Sequence, residues 1–91
     1  MPNNIEIIIG ELFPQPATGS RVFASVYATQ QVHGEMTVTD ESGKARLKAP
    51  FELEMEGDAL ELDISDLPPG EYRVRIGILE EQWERRLRIE H

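Results

Sequence analysis

Apolar residues recur at every second position along most of this chain, and that period decides what it can fold into. Leu60, Leu62 and Ile64 alternate with Glu61 and Asp63. Tyr72, Val74, Ile76 and Ile78 alternate with Arg73, Arg75 and Gly77. Phe51, Leu53 and Met55, the pair Met36 and Val38, the set Val22, Ala24 and Val26, and the pair Leu87 and Ile89 repeat the pattern. A period of two puts one side of each strand in a core and the other in water. No segment keeps a helical spacing beyond about two turns. Leu79 to Leu87 is the best helical candidate, but Trp83, Leu87 and Ile89 share strand parity, so it reads as a hairpin with its turn near Glu80-Glu81-Gln82.

The turn residues punctuate this pattern. Pro14, Pro16 and Gly19 end the first strand, and Glu41-Ser42-Gly43-Lys44 reads as a hairpin turn in which Gly43 supplies a positive φ. Gly57-Asp58 reads as a second tight turn, and Pro68-Pro69-Gly70 is the strongest break. Strands are expected near 5–9, 20–28, 34–40, 45–48, 51–56, 59–65, 71–79 and 83–90, with 45–48 the marginal one of the eight. About seven short strands at intervals of roughly ten residues predict an all-β immunoglobulin-like sandwich of antiparallel strands. Val22, Val26, Val38, Leu53, Leu62, Ile64, Val74, Ile76 and Leu87 are the predicted core.

With 91 residues the chain is expected to form one domain, 1–91, with no linker and no internal repeat. It has no cysteine, so neither a disulfide nor a thiolate takes part. Seventeen acidic against nine basic residues give a net charge of −8, which argues against a nucleic-acid partner. No run approaches the roughly 20 apolar residues of a membrane-spanning helix, so membrane insertion is not expected. The opening Met1-Pro2-Asn3-Asn4 lacks the basic and apolar regions of a secretory signal. A native start at Met1 would imply a cytoplasmic protein.

The residues that carry chemistry are sparse. His33 precedes Gly34 in an expected loop, and His91 is the last residue; neither forms a triad with a serine and an aspartate. The carboxylates fall on outward strand positions and turns, as a solvated face would have them. Asp58, Asp63 and Asp66 lack the spacing of a calcium loop. The glycines stand about one per turn and form no phosphate loop. No catalytic group, metal or cofactor is therefore expected. The most informative string is Asp66-Leu67-Pro68-Pro69-Gly70-Glu71-Tyr72. Leu67 is expected to plug the core, Gly70 to allow the reversal, and Tyr72 to bond back to the corner, as in a tyrosine corner.

Three strings come in a telling order: Leu12-Phe13-Pro14-Gln15-Pro16-Ala17-Thr18-Gly19, then Val38-Thr39-Asp40-Glu41-Ser42-Gly43-Lys44, then Leu62 to Tyr72. The strand Arg85-Arg86-Leu87-Arg88-Ile89 follows them. This resembles the C-terminal sorting domain of the type IX secretion system of Bacteroidetes over about residues 5–90. That family shows Pro-Asn-Pro, Asp-x-x-Gly-Arg, Leu-x-x-Gly-x-Tyr and a basic final strand. Here Gln15 stands in place of the usual Asn, and Lys44 in place of the usual Arg.

The resemblance implies a folded label that does no chemistry. It would follow a covalently linked N-terminal cargo and be read by the outer-membrane secretion machinery or a sortase-like peptidase. The cargo would pass from the periplasm across the outer membrane to the cell surface. Pro14, Pro16, Lys44, Arg85, Arg86 and Arg88 are the expected recognition residues. Gly43, Leu67, Gly70 and Tyr72 are the structural ones. The three arginines of the last strand are expected to form a positive patch that pairs with acidic groups of a partner. The strand, if it lies at a sheet edge, is expected to pair with a partner's strand. The equal alternative is that arginines on an edge strand serve only to prevent aggregation. The alternative is a fibronectin-III-like or immunoglobulin-like accessory module for protein or carbohydrate. Exposure of Phe23, Tyr27 and Trp83 on one face would favour the sugar-binding form of it.

Overall fold

The computed structural model describes residues 6–54 and 58–90. Its strands are β1 (Ile7–Ile9), β2 (Arg21–Ala28), β3 (Val32–Asp40), β4 (Ala45–Leu53), β5 (Asp58–Asp63), β6 (Gly70–Ile78) and β7 (Glu81–Ile89). They form two antiparallel sheets, β1-β2-β5 and β4-β3-β6-β7. The two sheets face each other as a β-sandwich.

The period-two residues make this core as expected. All nine predicted core residues are buried, and among the described residues no polar or charged residue is buried with them. Cross-strand rows such as Val38 between Leu47 and Val74, or Met36 between Ala49 and Ile76, stack the apolar positions on one side of the larger sheet. The opposite parity of the same strands carries Thr37, Thr39, Arg73, Arg75, Glu84 and Arg86 outward. One face of each strand therefore specifies the packing, and the other is left for contacts.

Three sequence expectations need correction. The segments 45–48 and 51–56 are not separate strands, because β4 runs unbroken through Pro50. Proline cannot donate to a ladder, but β4 is an edge strand, so the missing N–H costs no inner hydrogen bond. His33-Gly34 is not a loop but the start of β3. Gly34 belongs in the strand because a Cβ there would lie 2.1 Å from the Gly77 carbonyl oxygen and 2.9 Å from the Phe51 ring. The last hairpin turns at Leu79-Glu80, with Ile78 already paired to Glu81, rather than near Gln82. The predicted turn at Gly57-Asp58, the end of the 51–56 strand with Met55, the first-strand position 5, the opening 1–4 and His91 lie wholly or partly outside the described residues.

The segment between β1 and β2 positions the site. It pairs back onto β2 through Phe13 and Phe23, then crosses to the other sheet, where Ala17 bridges Ile89 in parallel. Leu12 and Ala17 are buried along this path, so the crossing is anchored by packing as well as by backbone bonds.

Candidate functional site

The second and third motif strings meet at one end of the larger sheet. Register sets Asp40 beside Tyr72 and Tyr72 beside Leu87, and sets Thr39, Arg73 and Arg86 in a row across β3, β6 and β7. Between them lies an open hollow of about 470 Å³, lined by Asp40, Glu41, Gly43, Glu71, Tyr72, Arg73 and Arg86 together with Thr39. A second groove of about 290 Å³ lies on the far side of Arg86, lined by Glu11, Gln15, Glu71, Arg86 and Arg88. Glu71 and Arg86 border both.

Local sequence explains each wall. The β3–β4 turn is built on Asp40, whose Oδ1 accepts from the Ser42 amide (2.9 Å), the Ser42 hydroxyl (2.6 Å) and the Lys44 amide (3.1 Å). Arg46 adds a bond to its Oδ2 at 3.2 Å. The Ser42 hydroxyl foremost, then the Lys44 amide, hold the Asp40 carboxyl down to about 2. Gly43 takes φ 90°, as predicted for this turn. The other wall is the corner before β6. Leu67 is buried, Gly70 has φ 155°, and the Tyr72 hydroxyl donates to the Pro68 carbonyl at 2.5 Å. This bond makes the tyrosine corner read from the sequence.

The first string joins through Gln15. Its Nε2 donates to the Arg86 carbonyl at 2.7 Å, and its Oε1 accepts from the Arg88 amide at 3.1 Å. The Ala17 amide donates to the Arg88 carbonyl (2.7 Å), and the Glu90 amide donates to the Ala17 carbonyl (2.8 Å). Exposed Pro14 and Pro16 flank Gln15 and shape the bend that presents it.

The predicted recognition residues therefore have different situations. Arg86 lies in both hollows, and among the described residues no carboxylate comes within 4 Å of it. Arg88 pairs with Glu90 at 2.7 Å and Glu71 at 3.4 Å. Lys44 contributes its backbone to the Asp40 turn and extends an exposed side chain. Arg85 departs from the expected patch. Its parity is inward, its side chain is only 19% exposed, and its guanidinium donates to the carbonyls of Ile9 (2.7 Å), Gly10 (3.2 Å) and Glu84 (2.8 Å). The expected open edge of β7 is also corrected: β7 is an edge strand, but Gln15 and Ala17 occupy it from Arg86 to Glu90.

Gln15, Asp40 and Glu71 were not among the expected recognition residues, although Gln15 and Asp40 lie in the motif strings. The signal for Asp40 was present, since an Asp two residues before a Ser and four before the end of a turn is an Asx-turn pattern. Gln15 carried only its place between Pro14 and Pro16, since its partners are more than 70 positions away.

The other candidates lie apart. Asp63 takes the Ser65 hydroxyl (2.7 Å) and amide (3.0 Å), which hold its carboxyl below the ordinary range. No group of three His, Cys, Asp or Glu able to hold a metal occurs among the described residues. No described helix is long and apolar enough to cross a membrane. Phe23 and Tyr27 face outward on the smaller sheet, near exposed Phe13 and Ile8, with the Phe13 and Phe23 rings 6.0 Å apart. Trp83 is on the other sheet and packs against the core, so the three aromatics do not share a face.

No protein-family model and no curated protein matches this sequence. Among solved structures, the chain is similar to a novel β-glucosidase from Erythrobacter marinus, at 18% identity and a TM-score of 0.54. The match covers 94% of this chain and 16% of that one, so the present chain corresponds in fold to a small part of a much longer protein.

Proposed function

We propose that this chain is a non-catalytic recognition domain of the type IX sorting kind, read by the outer-membrane secretion machinery or a sortase-like peptidase while attached to its cargo. One observation carries the reading. The Pro14-Gln15-Pro16 segment, which comes first in the chain, is bonded to the arginine strand that comes last, beside the Gly43 turn and the Tyr72 corner. Motifs scattered over the sequence thus present one rigid surface, as a label read by shape requires. Arg86 has no carboxylate within 4 Å among the described residues and is placed to receive an acidic group of a partner.

The test fuses residues 1–91 behind an exported reporter in a bacterium that has this machinery. The reporter should move from the periplasm to the cell surface, and the R86E/R88E pair should cut surface delivery at least tenfold with folding intact. Equal delivery by the fusion and by the reporter alone would end the reading.

A second reading is an accessory module of a larger enzyme, for protein or carbohydrate. The exposed strip of Ile8, Phe13 and Tyr27 on the smaller sheet favours it, as does the fold likeness to part of a β-glucosidase chain. Retardation of the domain in gels containing β-glucan, abolished by Tyr27→Ala, would support it over the first.

A further inference from the structure

We propose that the outer face of the larger sheet binds an extended acidic peptide, with a carboxylate at every second residue, laid across the strands from Arg86 to Lys48. The cations of this net acidic chain are unevenly placed. Five of its nine, Lys48, Arg73, Arg75, Arg86 and Arg88, stand at exposed outward positions of this one sheet. Glu84 serves both Arg73 (2.8 Å) and Arg75 (3.9 Å), and Arg88 has Glu90 and Glu71. Arg86 and Lys48 have no carboxylate within 4 Å among the described residues. Arg86 also stands directly opposite Arg73 on the neighbouring strand. Like charges so placed destabilise a ladder. A local rule broken with no compensating group in the chain points to a counter-charge supplied by a ligand.

Spacing identifies the ligand. Arg73 and Arg86 form one wall of the 470 Å³ hollow, with Thr39 beside them. Asp40, Glu41 and Glu71 stand at its turn-and-corner end. An acidic chain entering between the two arginines therefore runs the other way, over Thr37 to Lys48. Arg86 on β7 and Lys48 on β4 are three strand spacings apart, about 14 Å at about 4.8 Å each. Four residues of an extended peptide cover about the same length, at about 3.4 Å each. Alternate side chains of such a peptide point the same way, so its first and fifth carboxylates reach Arg86 and Lys48. The third lies over the row of Thr37 and Arg75. None of these outward positions carries an aromatic ring on which a base could stack, which argues against single-stranded nucleic acid. The net charge of −8 opposes approach, but salt at about 0.15 M screens that repulsion beyond about 8 Å. The inference rests on the recognition reading above and names the chemistry of what is recognised.

Titration of the full chain with the end-blocked peptide Glu-Thr-Glu-Thr-Glu, followed by amide NMR shifts, tests it. The shifts should centre on Thr37, Thr39, Arg73 and Arg86. R86Q and K48Q should each weaken binding at least threefold. R21Q removes the same charge from the smaller sheet and should leave the affinity unchanged. R86Q should also unfold at no lower urea concentration than the unaltered chain, because it removes a like-charge pair and keeps the backbone carbonyl that Gln15 holds. The blocked peptide Thr-Glu-Glu-Glu-Thr, of equal charge, should bind more weakly. No shifts at millimolar peptide, or equal losses in R86Q and R21Q, would overturn the site. Equal binding of the two peptides, or tighter binding of a thymidine pentanucleotide, would overturn the extended acidic ligand. Surface delivery of the fusion without peptide binding would end this inference alone, and peptide binding without delivery would end the sorting reading alone.

Discussion

At the scale of single residues, the corner before β6 shows how little freedom a motif position has. Gly70 holds φ at 155°, a region that a side chain with a Cβ rarely enters. Space is not the obstacle, since the nearest atom to an added Cβ is Tyr72 Cε1 at 3.7 Å. The cost of a substitution is therefore backbone strain, of order 1–3 kcal/mol. Gly70→Val should lower the stability measured by urea unfolding by that amount, whereas an unchanged midpoint would show that the corner does not depend on this dihedral. The same corner was legible in the sequence, because its parts are neighbours: Pro68 and Tyr72 are four positions apart. Gln15 was not, because nothing local shows what its carboxamide meets.

At the scale of elements, the β3–β4 hairpin is organised by one carboxylate. Bonds from Ser42, Lys44 and Arg46 all favour its charged form, and its pKa falls from an ordinary 3.8 to about 2. A lowered folded-state pKa means that this carboxylate stabilises the fold fully above the unfolded value and loses its effect as pH falls through the folded one. The hairpin should therefore lose the Asp40 contribution between pH 3.8 and about 2. A carboxyl titration followed by NMR should place Asp40 near the lower figure, with Asp63 also below the ordinary range. A midpoint of 3.8 for Asp40 would show that the turn bonds do not form in solution.

The elements also show where local reading fails. Pro50 and Gly34 look like breaks, and both are tolerated inside strands for reasons set by neighbours. Pro50 sits at a sheet edge, and Gly34 sits where the Gly77 backbone comes close. The alternating residues needed no such context, because burial of one face follows from their parity alone.

At the scale of the whole molecule, Arg85 ties the two sheets together. It belongs to the larger sheet, and it donates to the carbonyls of Ile9 and Gly10 at the end of β1 in the smaller one. Hydrogen bonds to charged groups contribute roughly 1.5–3 kcal/mol. Arg85→Ala should cost about that much in chemical denaturation and speed amide exchange along β1. Arg85→Lys should recover only part of it, since one ammonium cannot span both carbonyls as the guanidinium fork does. If Arg85→Ala left stability and exchange unchanged, the sheets would be held on this side by packing alone. The inward turn of Arg85 also explains why the predicted three-arginine patch has only two members.

Because the earliest described strand is finished by contacts with the last one, folding has an order in time. Synthesis begins at the N-terminus, so β1, the Gln15 bend and Ala17 leave the ribosome long before the strand that receives them. Until about residue 90 has emerged, the half-built domain lacks its closing seam between Ala17 and β7. Closure of the β7 edge is thereby tied to the synthesis of β7 itself.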